Sequence, residues 1–222
     1  MVDAAHLVDE TRQALQPVEM RIRRHPYLDA VEAGSLSRDE LRRFAGQQHH
    51  IIASDLRAMA LLVAKAESPE TREFFWGGIQ GEWAALEALQ AFAGALPMPA
   101  EDLQAAEPIP GAFAYSAYVA WLALFASCAE FAAAFLVNLE AWGGNCARMS
   151  QALRARYQLK NGEVAFFDLF SSPPPGFQER ALRVIQEGLD RGVRPEHVTR
   201  AARMLQGYEL LYWDTLYHAL TT

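Results

Sequence analysis

The sequence predicts an all-α protein, a helical bundle of about seven or eight helices. Apolar residues recur every three to four positions along most of the chain, helix start and stop signals bound these stretches, and strand-like alternation is nearly absent. The chain has 222 residues, 51% of them hydrophobic, which is enough to bury one core. No internal repeat or linker divides it. We therefore expect residues 1–222 to form one domain.

Two capping signals mark the first long helices. In "SLSRDELRRF", Ser37 is followed three residues later by Glu40, which is the spacing of a capping box and predicts a helix to about residue 65. Ser68 followed by Pro69 predicts the start of the next helix, which we expect to end at about residue 95. The Pro-rich connector "LPMPAEDLQAAEPIPG" then interrupts the helical pattern.

The most apolar segment runs from Ala112 to Ala129, eighteen residues without a charge, and imitates a membrane span. No basic residues flank it, and Glu130 follows at once. We therefore predict a long helix inside the bundle, which ends or bends at the Gly143–Gly144 pair. Beyond it, "SSPPPGF" is a break. Three further helices are expected in the last third of the chain: 147–157, 178–191 and 195–220.

Charge and cysteine content narrow the possible partners. The formal net charge of −7 argues against nucleic acid and anionic membrane, because both bind basic patches. Cys128 and Cys146 are too few for a disulfide framework, and we interpret them as buried thiols in a reducing compartment. The N-terminal stretch is acidic and lacks an apolar signal core, so we expect a cytoplasmic protein.

Three polar residues lie on apolar helix stripes. In the closing segment "GYELLYWDTLYHAL", Glu209 shares a stripe with Leu205 and Leu216. Gln48 and Asn138 lie on similar stripes of earlier helices. A buried carboxylate needs a partner or serves chemistry, so Glu209 is the first candidate for a functional residue.

Metal-binding patterns are weak. Neighbouring residues of "QQHH" (47–50) point in different directions on a helix, so His49 and His50 fit a surface or helix-contact role better than a shared ion. Asp214 and His218 have the i, i+4 spacing of a metal-binding couple but no third ligand nearby, which favours an ordinary contact. No phosphate loop, nucleophile elbow, CxxC or HExxH motif occurs. We expect no metal and no cofactor.

Three ordered segments resemble the TenA/PqqC superfamily. They are "HPYLDAVEAGSLSRDELRRFAGQQHH", "PIPGAFAYSAYVAWLALFASCAEFAAAFLVNLEAW" and "GYELLYWDTLYHAL", and they span about residues 25 to 220. The resemblance implies a haem-oxygenase-like all-α fold, a small-molecule pocket inside the bundle, and a homodimer or homotetramer.

The resemblance also implies a site. In thiaminase II-type members, the acid of the closing helix handles protons on a bound aminopyrimidine, and Glu209 occupies that position. Tyr115 and Trp142 match aromatic residues that flank the ring. Gln48 stands at the position of a substrate-binding aspartate, and Asn138 at the position of the nucleophilic cysteine. An amide forms no covalent adduct, so the resemblance implies a pocket for a flat heteroaromatic ligand with thiaminase II-type hydrolysis weak or lost.

Two alternatives stay open. Because one of them is an enzyme and the other is not, the sequence leaves open whether the chain is an enzyme. The first is a haem-oxygenase-like oxidase, either cofactorless and PqqC-like or iron-dependent, since "YQLKNGEVAFFDLF" resembles a stretch of the iron-dependent members. Of the iron-ligand positions, Glu82 alone is kept, and the others hold residues without a metal-binding side chain: Leu89, Phe170, Pro174 and Phe177. The second alternative is a non-catalytic ligand-binding or regulatory protein.

Overall fold

The fold is a bundle of α-helices, as seen in a computed structural model that describes residues 2–220. These residues contain ten α-helices and one 3-10 turn (Asn161–Val164), joined by short connecting segments. The helices are α1 (Ala4–Arg23), α2 (Pro26–Ala33), α3 (Arg38–Lys65), α4 (Pro69–Ala95), α5 (Ala100–Gln104), α6 (Pro110–Phe125), α7 (Cys128–Tyr157), α8 (Ala165–Ser171), α9 (Phe177–Asp190) and α10 (Pro195–His218). The predicted all-α class is confirmed.

The starts of α3 and α4 follow the predicted capping chemistry. The Ser37 side chain accepts a hydrogen bond from the Glu40 amide at 3.2 Å, and the Glu40 carboxylate accepts one from the Ser37 amide at 2.5 Å. The Ser68 hydroxyl accepts from the Thr71 amide at 3.1 Å, with Pro69 in the first turn. These bonds satisfy amide groups that the helical pattern leaves without partners.

The apolar segment forms two helices, so the prediction of one continuous helix from Ala112 is wrong. α6 ends at Phe125 and α7 begins at Cys128. Ser127 and Glu130 form a second capping box, in which the Glu130 carboxylate accepts from the Ser127 amide at 2.8 Å. The S-x-x-E pattern of "SCAE" carries this signal. Within residues 2–220, no helix has the length and hydropathy needed to cross a membrane.

The Gly143–Gly144 pair does not interrupt α7, contrary to the sequence prediction, because the helix continues through it to Tyr157. A Cβ atom on Gly143 would lie 2.6 Å from the Phe170 carbonyl oxygen. The glycine therefore permits the backbone of α8 to approach α7 closely, a use of glycine that does not require a bend.

Helices α3 and α4 are antiparallel neighbours with a defined register. Near one end, the rings of Phe44 and Phe92 lie 6.4 Å apart. Near the other end, Gly78 faces Met59, and an added Cβ there would meet the Met59 sulfur. The hydrophobic interior divides into two clusters, one containing Trp213 and the other Tyr115. Polar residues of α6, α7 and α10 meet between these two clusters.

Candidate functional site

A buried polar network joins α6, α7 and α10 at the junction of the two hydrophobic clusters. We call it the Glu209 network. Its five members are linked by side-chain hydrogen bonds: Tyr115, Asn138, Gln206, Glu209 and Trp213. Helix α10 contributes Gln206, Glu209 and Trp213 from successive turns of one face, because residues three to four apart lie side by side on a helix.

Asn138 is the centre of this network. Its side-chain oxygen accepts from the Tyr115 hydroxyl at 3.0 Å, and its amide nitrogen donates to Gln206 Oε1 at 3.1 Å and to Glu209 Oε2. Both N–H groups and the carbonyl oxygen therefore have partners. The side chain is 3% exposed, so these bonds replace water completely.

Glu209 is a buried carboxyl group that titrates near neutrality. It is 2% exposed, and its other oxygen, Oε1, accepts from Trp213 Nε1 at 3.2 Å. Burial raises its pKa to about 8, although the hydrogen bonds from Trp213 and Asn138 act in the opposite direction. A carboxyl group with such a pKa can both donate and accept a proton at physiological pH.

Tyr115 connects the Glu209 network to two further acids. Burial raises the pKa of its hydroxyl, and the nearby charges of Asp55, Glu209 and Glu82 add to the effect. The phenol therefore stays protonated and serves as the hydrogen-bond donor to Asn138.

Asp55 and Glu82 form a second buried acidic pair, one residue on α3 and one on α4. Asp55 is 3% exposed and Glu82 is 8% exposed. Burial raises the pKa of Glu82 to about 8, and burial together with the Glu82 charge raises the pKa of Asp55.

The other two predicted ligand-binding residues lie outside the Glu209 network. The Gln48 amide donates to the Tyr212 hydroxyl at 2.7 Å, one residue before Trp213 on α10. Trp142 is half-buried, and its ring lies 5.8 Å from Trp213 and 5.8 Å from Phe170. It therefore packs on Trp213, and Tyr115 belongs to the other hydrophobic cluster.

The "QQHH" segment ties α3 to the connector before α6. Gln47 donates to the Glu107 carbonyl and accepts from the Ile109 amide, both at 2.9 Å, and a ring nitrogen of His50 lies 2.6 Å from the Ala106 carbonyl. Asp214 contacts His25 at 3.1 Å. Its backbone carbonyl lies 2.6 Å from His218 Nδ1. Ordinary contacts therefore account for Gln47, His50, Asp214 and His218, whereas His49 Nδ1 is buried without a hydrogen-bond partner.

Both cysteines are free thiols on α7. Because the helix is unbroken, Cys146 follows Asn138 by two turns on the same face, about 12 Å along the axis. Burial raises the pKa of the Cys146 thiol, and the Glu209 charge raises it further. Burial likewise raises the pKa of Cys128. A thiol kept protonated is a poor nucleophile.

Sequence reasoning missed two members of the Glu209 network. Gln206 is fully buried. It precedes Glu209 by three residues, a spacing that places both side chains on the same face of the helix and could have predicted its burial. Trp213 follows Glu209 by one turn, and only its indole N–H, which needs a partner when buried, pointed to a polar role.

Two of the oxidase-type ligand positions, Leu89 and Phe170, lie in apolar surroundings. Leu89 is fully buried, and Phe170 packs on Trp142. Among residues 2–220, no group of three or more His, Cys, Asp and Glu residues is arranged to hold a metal ion.

Two surface cavities lie away from the Glu209 network. One, of about 590 Å³, is lined by residues that include Arg21, His25 and Asp214. The other, of about 490 Å³, is lined by residues that include Ser150, Arg154 and Asp168.

Solved structures define the class of fold. A TenA homologue from Pyrococcus furiosus matches with a TM-score of 0.76 and 22% identity, over 95% of this chain and 100% of that chain. A TenA homologue from Pseudomonas syringae matches with a TM-score of 0.81 and 15% identity, over 95% and 92%. Haem oxygenase-2 from Synechocystis matches with a TM-score of 0.67 and 15% identity, over 97% and 86%. The fold is haem-oxygenase-like.

The family model described as the TENA/THI-4/PQQC family matches residues 12–219. The chain belongs to this family, which confirms the resemblance seen in its sequence motifs. No curated protein matches the sequence significantly.

Proposed function

We propose that this protein binds a small, flat heteroaromatic ligand, an aminopyrimidine or thiamin-related compound, at the Glu209 network. The observation that carries the proposal is the state of Glu209. It is a carboxyl group buried without a basic partner, held by two neutral donors, on the helix where thiaminase II-type members place their acid. A heterocycle with an N–C–N–H edge offers one donor and one acceptor to such a carboxyl group.

The same geometry defines what each residue does. Glu209 exchanges its bond with Asn138 for bonds to the ligand and holds or moves a proton at Oε2. The Trp213 N–H keeps the carboxyl group in place through Oε1. Asn138 and Tyr115 supply hydrogen bonds to the ligand or to a water molecule. Gln48 and Trp142 contribute through Tyr212 and Trp213, the residues that they contact.

The absent nucleophile sets the expected activity. Asn138 forms no covalent adduct, and both cysteine thiols are kept protonated by burial. We therefore expect thiaminase II-type hydrolysis of aminopyrimidines to be weak or lost, without a requirement for a cofactor.

A hydrolysis assay on wild type, Asn138→Cys and the double variant Asn138→Cys/Glu209→Gln tests this activity. We expect turnover to appear in Asn138→Cys alone, because the double variant lacks the proton-transferring acid. Robust wild-type turnover would place the nucleophile elsewhere. Ligand binding without turnover in any variant would favour the non-catalytic alternative, which the fully bonded state of Asn138 also favours.

Native mass spectrometry of freshly purified protein tests the ligand class directly. A retained compound with the mass of an aminopyrimidine or thiamin derivative supports the proposal. A retained compound of another class, such as a quinone, contradicts it and favours the oxidase alternative.

We further propose that the protein self-associates as a homodimer or homotetramer through the outer face of α4. Trp76 and Trp83 on this face are 56% and 55% exposed, and the space beside Gly77 is open. Two copies of α4 crossing antiparallel about Gln80 would place Trp83 over the partner's Gly77, so the face is self-complementary. Light scattering should give a mass above that of the monomer, and Trp83→Glu should lower it. A wild-type protein that is monomeric at micromolar concentration would contradict the proposed self-association.

A further inference from the structure

The α3–α4 register brings Asp55 and Glu82 to the same level of the bundle. Phe44 lies beside Phe92, and Met59 lies beside Gly78. Because the helices are antiparallel, each step forward on α3 corresponds to a step backward on α4. Asp55 lies four residues before Met59, and Glu82 lies four residues after Gly78. Asp55 therefore falls opposite Glu82.

This acidic pair is buried without compensation. Asp55 is 3% exposed, and its Oδ1 atom is fully buried with no hydrogen-bond partner. In the part of the chain that the structure describes, no basic side chain offsets either carboxyl group, and the charge that Asp55 experiences is that of Glu82. A buried acidic group without a partner is costly, which is why such groups concentrate at functional sites.

Further buried polar atoms without partners lie on the neighbouring helices α6 and α10. Helix α6 runs beside α3 at this level, where the Ser54 hydroxyl donates to the Ser116 carbonyl at 3.3 Å. The Ser116 hydroxyl itself is 1% exposed and has no partner. In the adjoining Glu209 network, the side-chain nitrogen of Gln206 is buried and also lacks one. These atoms can bind a polar ligand that reaches the α3–α4 seam.

We propose that Asp55 and Glu82 form a subsite for an organic cation, an ammonium or amidinium group on a small ligand. Two carboxyl groups that face each other accept the N–H donors of such a group, and the hydroxyl of Ser116 accepts a third. The cation takes the place of the proton that the pair otherwise holds, and this proton leaves to solvent. The inference rests on the proposed function only in that the cation is carried by a ligand of the same bundle interior.

Calorimetry with benzamidine and its neutral isostere benzamide, both at pH 7, tests the subsite. We expect benzamidine to bind roughly tenfold to a hundredfold more tightly, the range for charge-assisted hydrogen bonds. Repeating the titration in phosphate and in HEPES, which differ in ionisation enthalpy, should show release of a proton on binding of benzamidine. Equal affinities of the two compounds, or no proton release, would overturn the proposal without reference to any variant.

Variants separate this subsite from the proposed function. Asp55→Asn and Glu82→Gln should abolish the preference for benzamidine, while Glu209→Gln should keep it and instead weaken 4-aminopyrimidine. A preference lost only in Glu209→Gln assigns the cation to that residue and overturns the subsite. If 4-aminopyrimidine fails to bind but benzamidine binds through Asp55 and Glu82, the proposed function fails and the subsite stands.

Discussion

The carboxyl groups of the two buried acidic regions differ in whether hydrogen bonds satisfy them. At Glu209, both carboxyl oxygens accept hydrogen bonds from neutral donors, Asn138 and Trp213. At Asp55, one oxygen has no partner, and the nearest charge is another acid. Both regions are buried, and among residues 2–220 no basic side chain forms an ion pair with Glu209, Asp55 or Glu82.

The difference distinguishes a region that stabilises the fold from a region whose polar atoms remain available to a ligand. The Glu209 network is held by hydrogen bonds that stabilise one side-chain arrangement, so its members contribute to folding as well as to binding. The acidic pair includes a buried oxygen without a partner, Asp55 Oδ1, which lowers stability because its desolvation is not offset by a hydrogen bond. Changes at the two regions should therefore have opposite effects on stability.

The largest expected effect is a loss of stability as pH rises. Glu82 and Glu209 have native pKa values of about 8, above their unfolded value of 4.5, so the native state binds more protons between these limits. The free energy of unfolding should fall by up to about 1.4 kcal/mol per pH unit for each group. Urea titrations between pH 6.5 and 8.5 measure it.

The upper part of that pH window avoids opposing groups. Burial lowers the pKa of His25 and His49, which adds stability as pH rises until the unfolded imidazoles, with a pKa of 6.5, have lost their protons at about pH 7.5. Glu82→Gln removes one of the two carboxyl groups and should flatten the profile. Stability that rises with pH across this window would contradict the assignment of raised pKa values.

Replacing Asn138 by Leu should give the next largest effect. The substitution leaves Tyr115, Gln206 and Glu209 without their shared partner, and each unsatisfied group costs about 1–3 kcal/mol. We expect a loss of about 3 kcal/mol or more in urea denaturation. Gln151→Leu, at an exposed position of the same helix, serves as the control. A loss no larger than that of the control would mean that the network does not support the fold.

Replacing Asp55 by Asn should have the smallest effect and the opposite sign. The amide is neutral, so the substitution removes repulsion from Glu82 at little steric change. We expect a change within about 1 kcal/mol, neutral or stabilising, as for other uncompensated buried charges. A loss as large as that of Asn138→Leu would show that Asp55 supports the fold.

Local signals in the sequence predicted much of the fold. The Ser37–Glu40 and Ser68–Pro69 signals lie within a few residues of one another, and they placed α3 and α4 correctly. The Ser127–Glu130 box is equally local, but the apolar run around it obscures its signal. The role of the Gly143–Gly144 pair is not predictable in this way, because close packing against Phe170, a tertiary contact, decides it.

The candidate site was less predictable. Periodicity indicated that Glu209 and Asn138 are buried, but it carried no information on their bond to each other. That bond, and the position of Asp55 opposite Glu82, depend on how α7 meets α10 and how α3 meets α4. Helix register is set by packing across the whole interface, which one-dimensional patterns do not specify.

The most direct test of the account is the affinity for 4-aminopyrimidine of wild type, Glu209→Gln and Glu179→Gln, measured by calorimetry at pH 7. Glu179 is an exposed acid in the first turn of α9 and serves as the matched control. We predict a loss of roughly tenfold to a hundredfold in Glu209→Gln, because Gln cannot pass a proton to the ring nitrogen and so forms no charge-assisted bond, and no change in the control. Equal affinity in all three proteins would contradict it and reduce Glu209 to a structural acid.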